Sequence, residues 1–469
     1  MRYLSTRGIG NEIVSFEKVL LEGLARDGGL FVPHTWPKKY TVSELDDLAT
    51  LNYAQLAVRL IYPLIGESIT LETLEKIAEE TFSEFKHPDI APLIKLESNI
   101  WCMELFHGPT LAFKDYALQF LGRLFDQIIS SHGKRLTIIG ATSGDTGSAA
   151  IQACRGREAL SIVIFHPQGR ISEVQRRQMT TVVDHNVYNV AIDGTFDDCQ
   201  SLIKSMFNDL AFRDRYSLAA INSINWARIL AQTVYYAYAT LYLRSIGKRV
   251  SFSVPTGNFG NVYSGYVAMK LGFPIEKILV ATNSNDIIGR CLSGHGYYKQ
   301  KVVASISPSM DIQIASNFER ILYDILGKDS AKIRVLMTAL DIKGGFKLDS
   351  KQLGKLSQYF VSTKINDERA LECMRQIWSE KNILIDPHSA VGIAAAQDLV
   401  GKSNKEKDLQ SVICLSTAHP AKFPEAVEKA TGVKPKLPEV FSDLMTSKER
   451  MVCLPNDLAI VKDYVRACS

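Results

Sequence analysis

FHGPTLAFKDY, residues 106–116, sets a single lysine, Lys114, behind Gly, Pro and Thr and between a phenylalanine and an aspartate. An amine attacks an aldehyde only when unprotonated, so a lysine that forms a Schiff base needs a partly apolar, dipole-rich setting that lowers its pKa. Phe113 supplies apolar surface beside it. The competing reading is a solvent-facing lysine at the start of an amphipathic helix, with Ala117, Leu118, Leu121 and Leu124 as the buried stripe. Exposed lysines far outnumber reactive ones, so the choice depends on what lies elsewhere in the chain.

Val254 to Tyr263, VPTGNFGNVY, follows the apolar run Val250 to Val254 and precedes a helical pattern. Gly257 and Gly260 let the backbone turn inward, and N–H groups at a helix N-terminus can then surround a phosphate. No GK[ST] follows and the G-x-G-x-x-G spacing is absent, which disfavours a nucleoside-triphosphate loop and a dinucleotide site. A small phosphate monoester suits the loop better. Ile138 to Ala150, IIGATSGDTGSAA, is again a β run, then hydroxyls, then a helix that opens with small residues. It offers N–H groups for a carboxylate, or is an ordinary strand-to-helix turn capped by Ser143 or Asp145. Val412 to Pro424, VICLSTAHPAKFP, ends a buried-looking strand in Ser416 and Thr417, where a hydroxyl can reach a ligand.

In this order the four segments resemble pyridoxal-phosphate enzymes of the tryptophan-synthase β-chain type, fold type II, and more closely the fungal and proteobacterial branch of the threonine synthase family. The likeness runs nearly end to end. It includes YLSTRG from Tyr3, LARDGGLFVP from Leu24, IDGTFDDCQ from Ile192, NSINWARILAQ from Asn222, ATNSNDI from Ala281, SPSMDIQIASNFER from Ser307 and DPHSAVG from Asp386. The fold this implies is α/β, with two open, mostly parallel α/β domains, the cofactor between them, and a mostly helical N-terminal domain.

By that resemblance Lys114 holds pyridoxal 5'-phosphate as a Schiff base, and Gly257, Asn258, Phe259, Gly260 and Asn261 form its phosphate cradle. Thr417 faces the pyridine nitrogen, where a neutral hydroxyl cannot hold the ring protonated through charge. Asp145 stands where many relatives carry Asn. The substrate carboxylate is assigned to Thr142, Ser143, Asp145 and Thr146, chiefly through backbone N–H groups, because the Asp145 carboxylate itself repels an anion. For the substrate phosphate the candidates are Asn225 and Arg228, the latter weighed against a surface ion pair. His107 and His388 are candidate proton donors, weighed against hydrogen-bonded structural histidines.

The implied reaction converts O-phospho-L-homoserine and water into L-threonine and phosphate by γ-elimination and β-addition, with Lys114 removing the α-proton. Two other readings stay open: a phospho-lyase that releases 2-oxobutyrate because no side chain orders the attacking water, and a cofactor-binding protein that has lost turnover.

Composition agrees. At 469 residues the chain exceeds the usual limit of one core, so two or three domains are expected. We place them at 1–95 (mostly helical), 96–215 (smaller α/β, carrying Lys114 and the carboxylate loop) and 216–469 (larger α/β, carrying the phosphate loop and Thr417). Hydrophobic content of 46%, charge of 22% and a net charge of +4 describe an ordinary soluble protein with no nucleic-acid signature. Eight cysteines lack metal spacing, which reads as reduced cytosolic thiols and no metal site. No signal-like or membrane-spanning apolar run is present, so a cytoplasmic location is expected. The partner is a small molecule rather than nucleic acid or membrane, and a monomer or a homodimer is compatible. Ser403 to Asp408 reads as a solvated loop, and the stretch from Ser284 to Lys347 is a lid, an insertion or part of the large domain.

Overall fold

Val250–Pro255 and Ser411–Ser416 are buried at every position, the pattern of strands covered on both faces of a parallel sheet. They lie side by side in a six-stranded sheet ordered Phe360–Lys364, Ile275–Thr282, Val250–Pro255, Ser411–Ser416, Ile100–Glu104, Leu93–Lys95. All neighbours are parallel except the last pair. A second, fully parallel sheet is ordered Val452–Pro455, Val187–Asp193, Leu160–Pro167, Leu136–Ala141, Leu218–Ala220. The protein is seen here in a computed structural model that describes residues 1–469 apart from Gly10, Asn11, Ser143 and 402–410. The expected loop at Ser403 to Asp408 therefore lies outside the described residues.

The Lys114–Ser131 helix buries Ala117, Leu118, Leu121 and Leu124 completely. Its amphipathic stripe is as expected, while its first residue faces a cleft rather than open solvent. The Trp226–Ser245 helix is buried along most of its length and packs against both this helix and the Gly260–Leu271 helix. Among the described residues, 1–95 combine a small antiparallel sheet (Val14–Ser15, Arg2–Ser5, Phe31–Pro33) with four α-helices, one of them Leu71–Phe82, which buries Leu74, Ala78 and Phe82 but leaves Leu71 exposed. Tyr3 anchors this part by stacking edge-on against Trp226 and accepting its indole N–H at 3.0 Å.

The two sheets cut across the expected domain limits. Ile100–Glu104, placed by sequence order in the smaller domain, pairs with Ser411–Ser416 in the larger sheet. Leu218–Ala220 and the C-terminal Val452–Pro455, placed in the larger domain, complete the smaller sheet. Parallel neighbours need crossovers, so chain order and sheet order part company. Among the described residues no helix is long and apolar enough to cross a membrane, and all eight cysteines are free.

Candidate active site

The carboxyl ends of strands from both sheets open onto one cleft with a cavity of about 100 Å³. Lys114 enters it from the first position of its helix, following the turn Gly108–Phe113. Asp115 fixes that turn by accepting from the Thr110 N–H at 2.8 Å and the Thr110 hydroxyl at 2.7 Å. The turn is stitched to the end of the Ser411–Ser416 strand: the Phe113 N–H donates to the Thr417 carbonyl at 2.8 Å, and the His419 N–H donates to the Leu111 carbonyl at 3.0 Å. Lys114 and Thr417 therefore share one rigid wall of the cleft.

Burial pushes the Lys114 amine below the ordinary lysine pKa; Asp145 opposes the shift, and Lys422 and Arg228 reinforce it. The N-terminal end of its own helix disfavours an ammonium too. The Phe113 ring centroid lies 5.0 Å from Nζ. Asp145 Oδ2 stands 3.3 Å from Lys114 Nζ, and Oδ1 accepts from Lys422 Nζ at 2.9 Å and Gln175 Nε2 at 2.7 Å. Burial opposes ionisation of Asp145, but the two lysines and the amide outweigh it and hold the carboxyl well below the usual range.

Opposite lies the loop of Gly257 to Asn261, leading into the Gly260–Leu271 helix, whose first-turn N–H groups have no intrahelical acceptor. Phe259 adopts a left-handed backbone (φ 61°), rare for a bulky residue, and its ring is held between Phe318 and Phe360. Gly257 faces the Ser309 carbonyl so closely that a Cβ would lie 2.9 Å from it. Asn317 clamps the loop from outside: its N–H and side-chain amide both donate to the Asn258 carbonyl, at 3.0 and 3.1 Å. Asn261 Oδ1 accepts from the Tyr235 and Tyr236 hydroxyls, which orients its NH₂ as an uncommitted buried donor at the cleft. This concave row of donors fits a phosphate monoester.

Arg228 is buried at the same cleft, and its Nε has no acceptor. Burial lowers its guanidinium to about 10. A buried cation with unused donors is a site built for an anion. The Asn225 carbonyl accepts from the Arg228 N–H at 3.1 Å, but its side chain is engaged elsewhere: Oδ1 caps the Trp226–Ser245 helix through the Ala227 N–H at 3.0 Å, and Nδ2 donates to the Leu20 carbonyl at 2.9 Å. Helix capping commits this amide within the fold. Thr146 lines the cleft; Thr142 is packed behind it, its hydroxyl accepting from the Gly144 and Gly147 N–H groups at 3.0 and 2.9 Å. Ser143 lies outside the described residues.

Neither candidate histidine is a free proton donor. His107 pairs with Glu104 at 2.7 Å outside the cleft. His388 lines the cleft, but its Nε2 accepts from the Ser309 N–H at 3.1 Å while Nδ1 meets Asp386 at 3.0 Å, which engages both ring nitrogens. Ser223, Gln232, Ser309 and Met310 also line the cleft. Ser309 and Met310 belong to the stretch from Ser284 to Lys347, part of which is therefore a wall of the site. No periodicity marks these four; Ser223 and Gln232 lie within NSINWARILAQ, and Ser309 and Met310 within SPSMDIQIASNFER, the segments that could have found them.

Comparison with known proteins assigns the chain. Residues 86–417 match the family described as pyridoxal-phosphate dependent enzyme, residues 2–82 the threonine synthase N terminus, and residues 389–465 the threonine synthase C-terminal family. The chain is 46% identical to the threonine synthase of Pseudomonas aeruginosa over 466 residues, covering 99% of this chain and 98% of the relative. It is 39% identical to that of Saccharomyces cerevisiae, covering 99% and 97%. The chain belongs to the threonine synthase family. A solved structure of pyridoxal-phosphate-bound threonine synthase from Brucella melitensis superposes with a TM-score of 0.95 at 45% identity, covering 100% of this chain and 99% of that one. The yeast threonine synthase structure gives 0.94 at 38%, covering 100% and 98%. The fold is that of the type II pyridoxal-phosphate enzymes, and pyridoxal 5'-phosphate is the cofactor of this family member. The donor-rich loop and the buried amine facing it fit that cofactor at its two ends.

Proposed function

We propose that this threonine synthase family member converts O-phospho-L-homoserine and water into L-threonine and phosphate in the cleft between its two sheets, with Lys114 as the residue that carries the cofactor and moves the protons. The observation that carries this reading is the facing pair of a buried, depressed amine and a glycine loop that opens a helix at the cleft, with the uncommitted Asn261 amide beside it. Pyridoxal phosphate supplies, when bound, the electron sink that takes up charge as a proton leaves the carbon beside the amine. Gly257, Asn258, Phe259, Gly260 and Asn261 would hold its phosphate, and Thr417 would face its ring nitrogen.

Lys114 would accept the proton from the substrate α-carbon, since a neutral amine in the cleft is a competent base at neutral pH. Arg228 would take the substrate phosphate and stabilise it as it leaves, its unused Nε being the donor that supports this role. The N-terminal turn at Asp145 and Thr146 would take the substrate carboxylate through N–H groups. The Asp145 side chain, engaged by two lysines, then repels that anion less than a free carboxylate would. A cytoplasmic location agrees with eight free thiols.

The test is to supply the loaded protein with O-phospho-L-homoserine and identify the carbon product beside released phosphate. Threonine is expected; 2-oxobutyrate in equal amount to phosphate would mean the lyase reaction instead. Lys114→Ala should lose both covalent cofactor attachment and roughly 10³-fold or more of turnover; a variant with full turnover would remove Lys114 from the mechanism.

A further inference from the structure

Lys422 has no part in the steps above, yet its side chain is fully buried at the site. Its Nζ donates to the Thr110 carbonyl at 2.7 Å and to Asp145 Oδ1 at 2.9 Å. The other oxygen of the same carboxylate faces Lys114 Nζ at 3.3 Å. One aspartate thus serves two amines. Were Asp145 alone beside Lys114, the two would form a buried ion pair and the amine would be held as an ammonium, unfit to attack an aldehyde or accept a proton.

We propose that Lys422 is a positioning residue for the reaction: its ammonium neutralises Asp145, so that the oxygen left for Lys114 orients the amine as a hydrogen-bond acceptor without locking a proton onto it. The Asp145–Lys422 pair is then equivalent in charge to a single neutral amide, with Gln175 holding the same carboxylate through its 2.7 Å bond. The other ionisable groups around the pair do not supply this balance. Arg228 adds positive charge from its own helix. Asp115, behind Thr110, is bound by the Thr110 N–H and hydroxyl and by Gln119. His419, on the same turn as Lys422, is kept neutral by burial first and then by His107.

The inference rests on Lys114 being the residue that carries the cofactor, and the experiment separates the two. Full-length protein stripped of cofactor is mixed with pyridoxal phosphate from about pH 6 to about pH 10, a span that brackets ordinary histidine and lysine titration. The rate of capture is followed by visible absorption, and the attached residue is identified by borohydride reduction and peptide mass. In Lys422→Met the pair beside Lys114 carries one net negative charge, so the capture profile should move up by about one pH unit or more, roughly tenfold slower at neutral pH. Asp145→Asn leaves one net positive charge and should move it down by a similar amount. The double variant Asp145→Asn/Lys422→Met restores neutrality and should return near the wild-type profile.

A folded Lys422→Met with the wild-type profile overturns the proposal, as does a double variant that stays where Asp145→Asn lies. If Lys422→Met does not fold, the comparison of Asp145→Asn with the double variant alone decides in the same way. Reduction that labels a residue other than Lys114 overturns the reading of the site and this proposal with it.

Discussion

Arg228 and His419 show how much a single buried group can determine. The Arg228 guanidinium sits in the interior with an Nε that no protein atom accepts from. Such a charge costs stability and is retained for a ligand. Arg228→Met should therefore raise KM for O-phospho-L-homoserine about tenfold or more while leaving the urea unfolding midpoint equal to wild type or higher; a large loss of stability with unchanged KM would make the arginine structural. His419 is held neutral at about 4 by burial, then His107, and its Nδ1 accepts the Ala421 N–H at 3.2 Å, capping the turn that bears Lys422. Its folded pKa is lower than the unfolded one, so the unfolded chain binds the extra proton between about pH 6.5 and about 4. The stability this residue contributes is present above about pH 6.5 and lost as pH falls through that window. His419→Asn keeps an acceptor at the cap and removes the titration, so its unfolding midpoint should fall less between those pH values than that of wild type.

At the scale of the element, the phosphate loop is legible because glycine spacing after an apolar strand has few physical meanings. What holds it is not legible. The Ser309 carbonyl, some fifty positions further along the chain, leaves no room for a Cβ at Gly257, and Asn317 ties down Asn258. Gly257→Ala should displace the Ser307–Met310 segment or the loop, costing about 1–3 kcal/mol and loosening cofactor retention. Equilibrium dialysis of the loaded protein checks this, and unchanged retention with unchanged stability would mean the two segments part freely. The N-cap at Asn225 is the complementary case. NSINWAR marks a helix entering a functional region, but which of its polar residues face the cleft depends on the docking of Leu20, an element about two hundred positions earlier.

For the whole molecule, the N-terminal part and the larger sheet are joined through Arg320. Its guanidinium is fully buried, donating to the Phe31 carbonyl at 3.0 Å, to the Ile224 carbonyl at 2.6 Å and to Asn317 Oδ1, beside the Trp226 and Tyr263 rings. Three parts of the chain thus meet on one side chain, and the third of them clamps the phosphate loop. Arg320→Met leaves two carbonyls without a donor and should cost about 3 kcal/mol, read by urea denaturation, with cofactor retention falling alongside. A loss of stability without any loss of retention would separate the clamp from the docking.

The sequence alone determined the strands that run into the site at Ala141, Pro255 and Ser416, the buried stripe behind Lys114 and the two glycine-bearing turns, because hydrophobic period and backbone freedom are local properties. The family resemblance supplied the α/β class and located the cofactor ends. Only the tertiary structure decided that Ile100–Glu104 and Val452–Pro455 change sheets, that Asn225 caps a helix while Arg228 faces the cleft, and that Lys422 shares Asp145 with Lys114. Each depends on contacts between distant segments, and the charge state of a buried amine is set by the sum of the groups brought around it, which no local stretch of sequence contains.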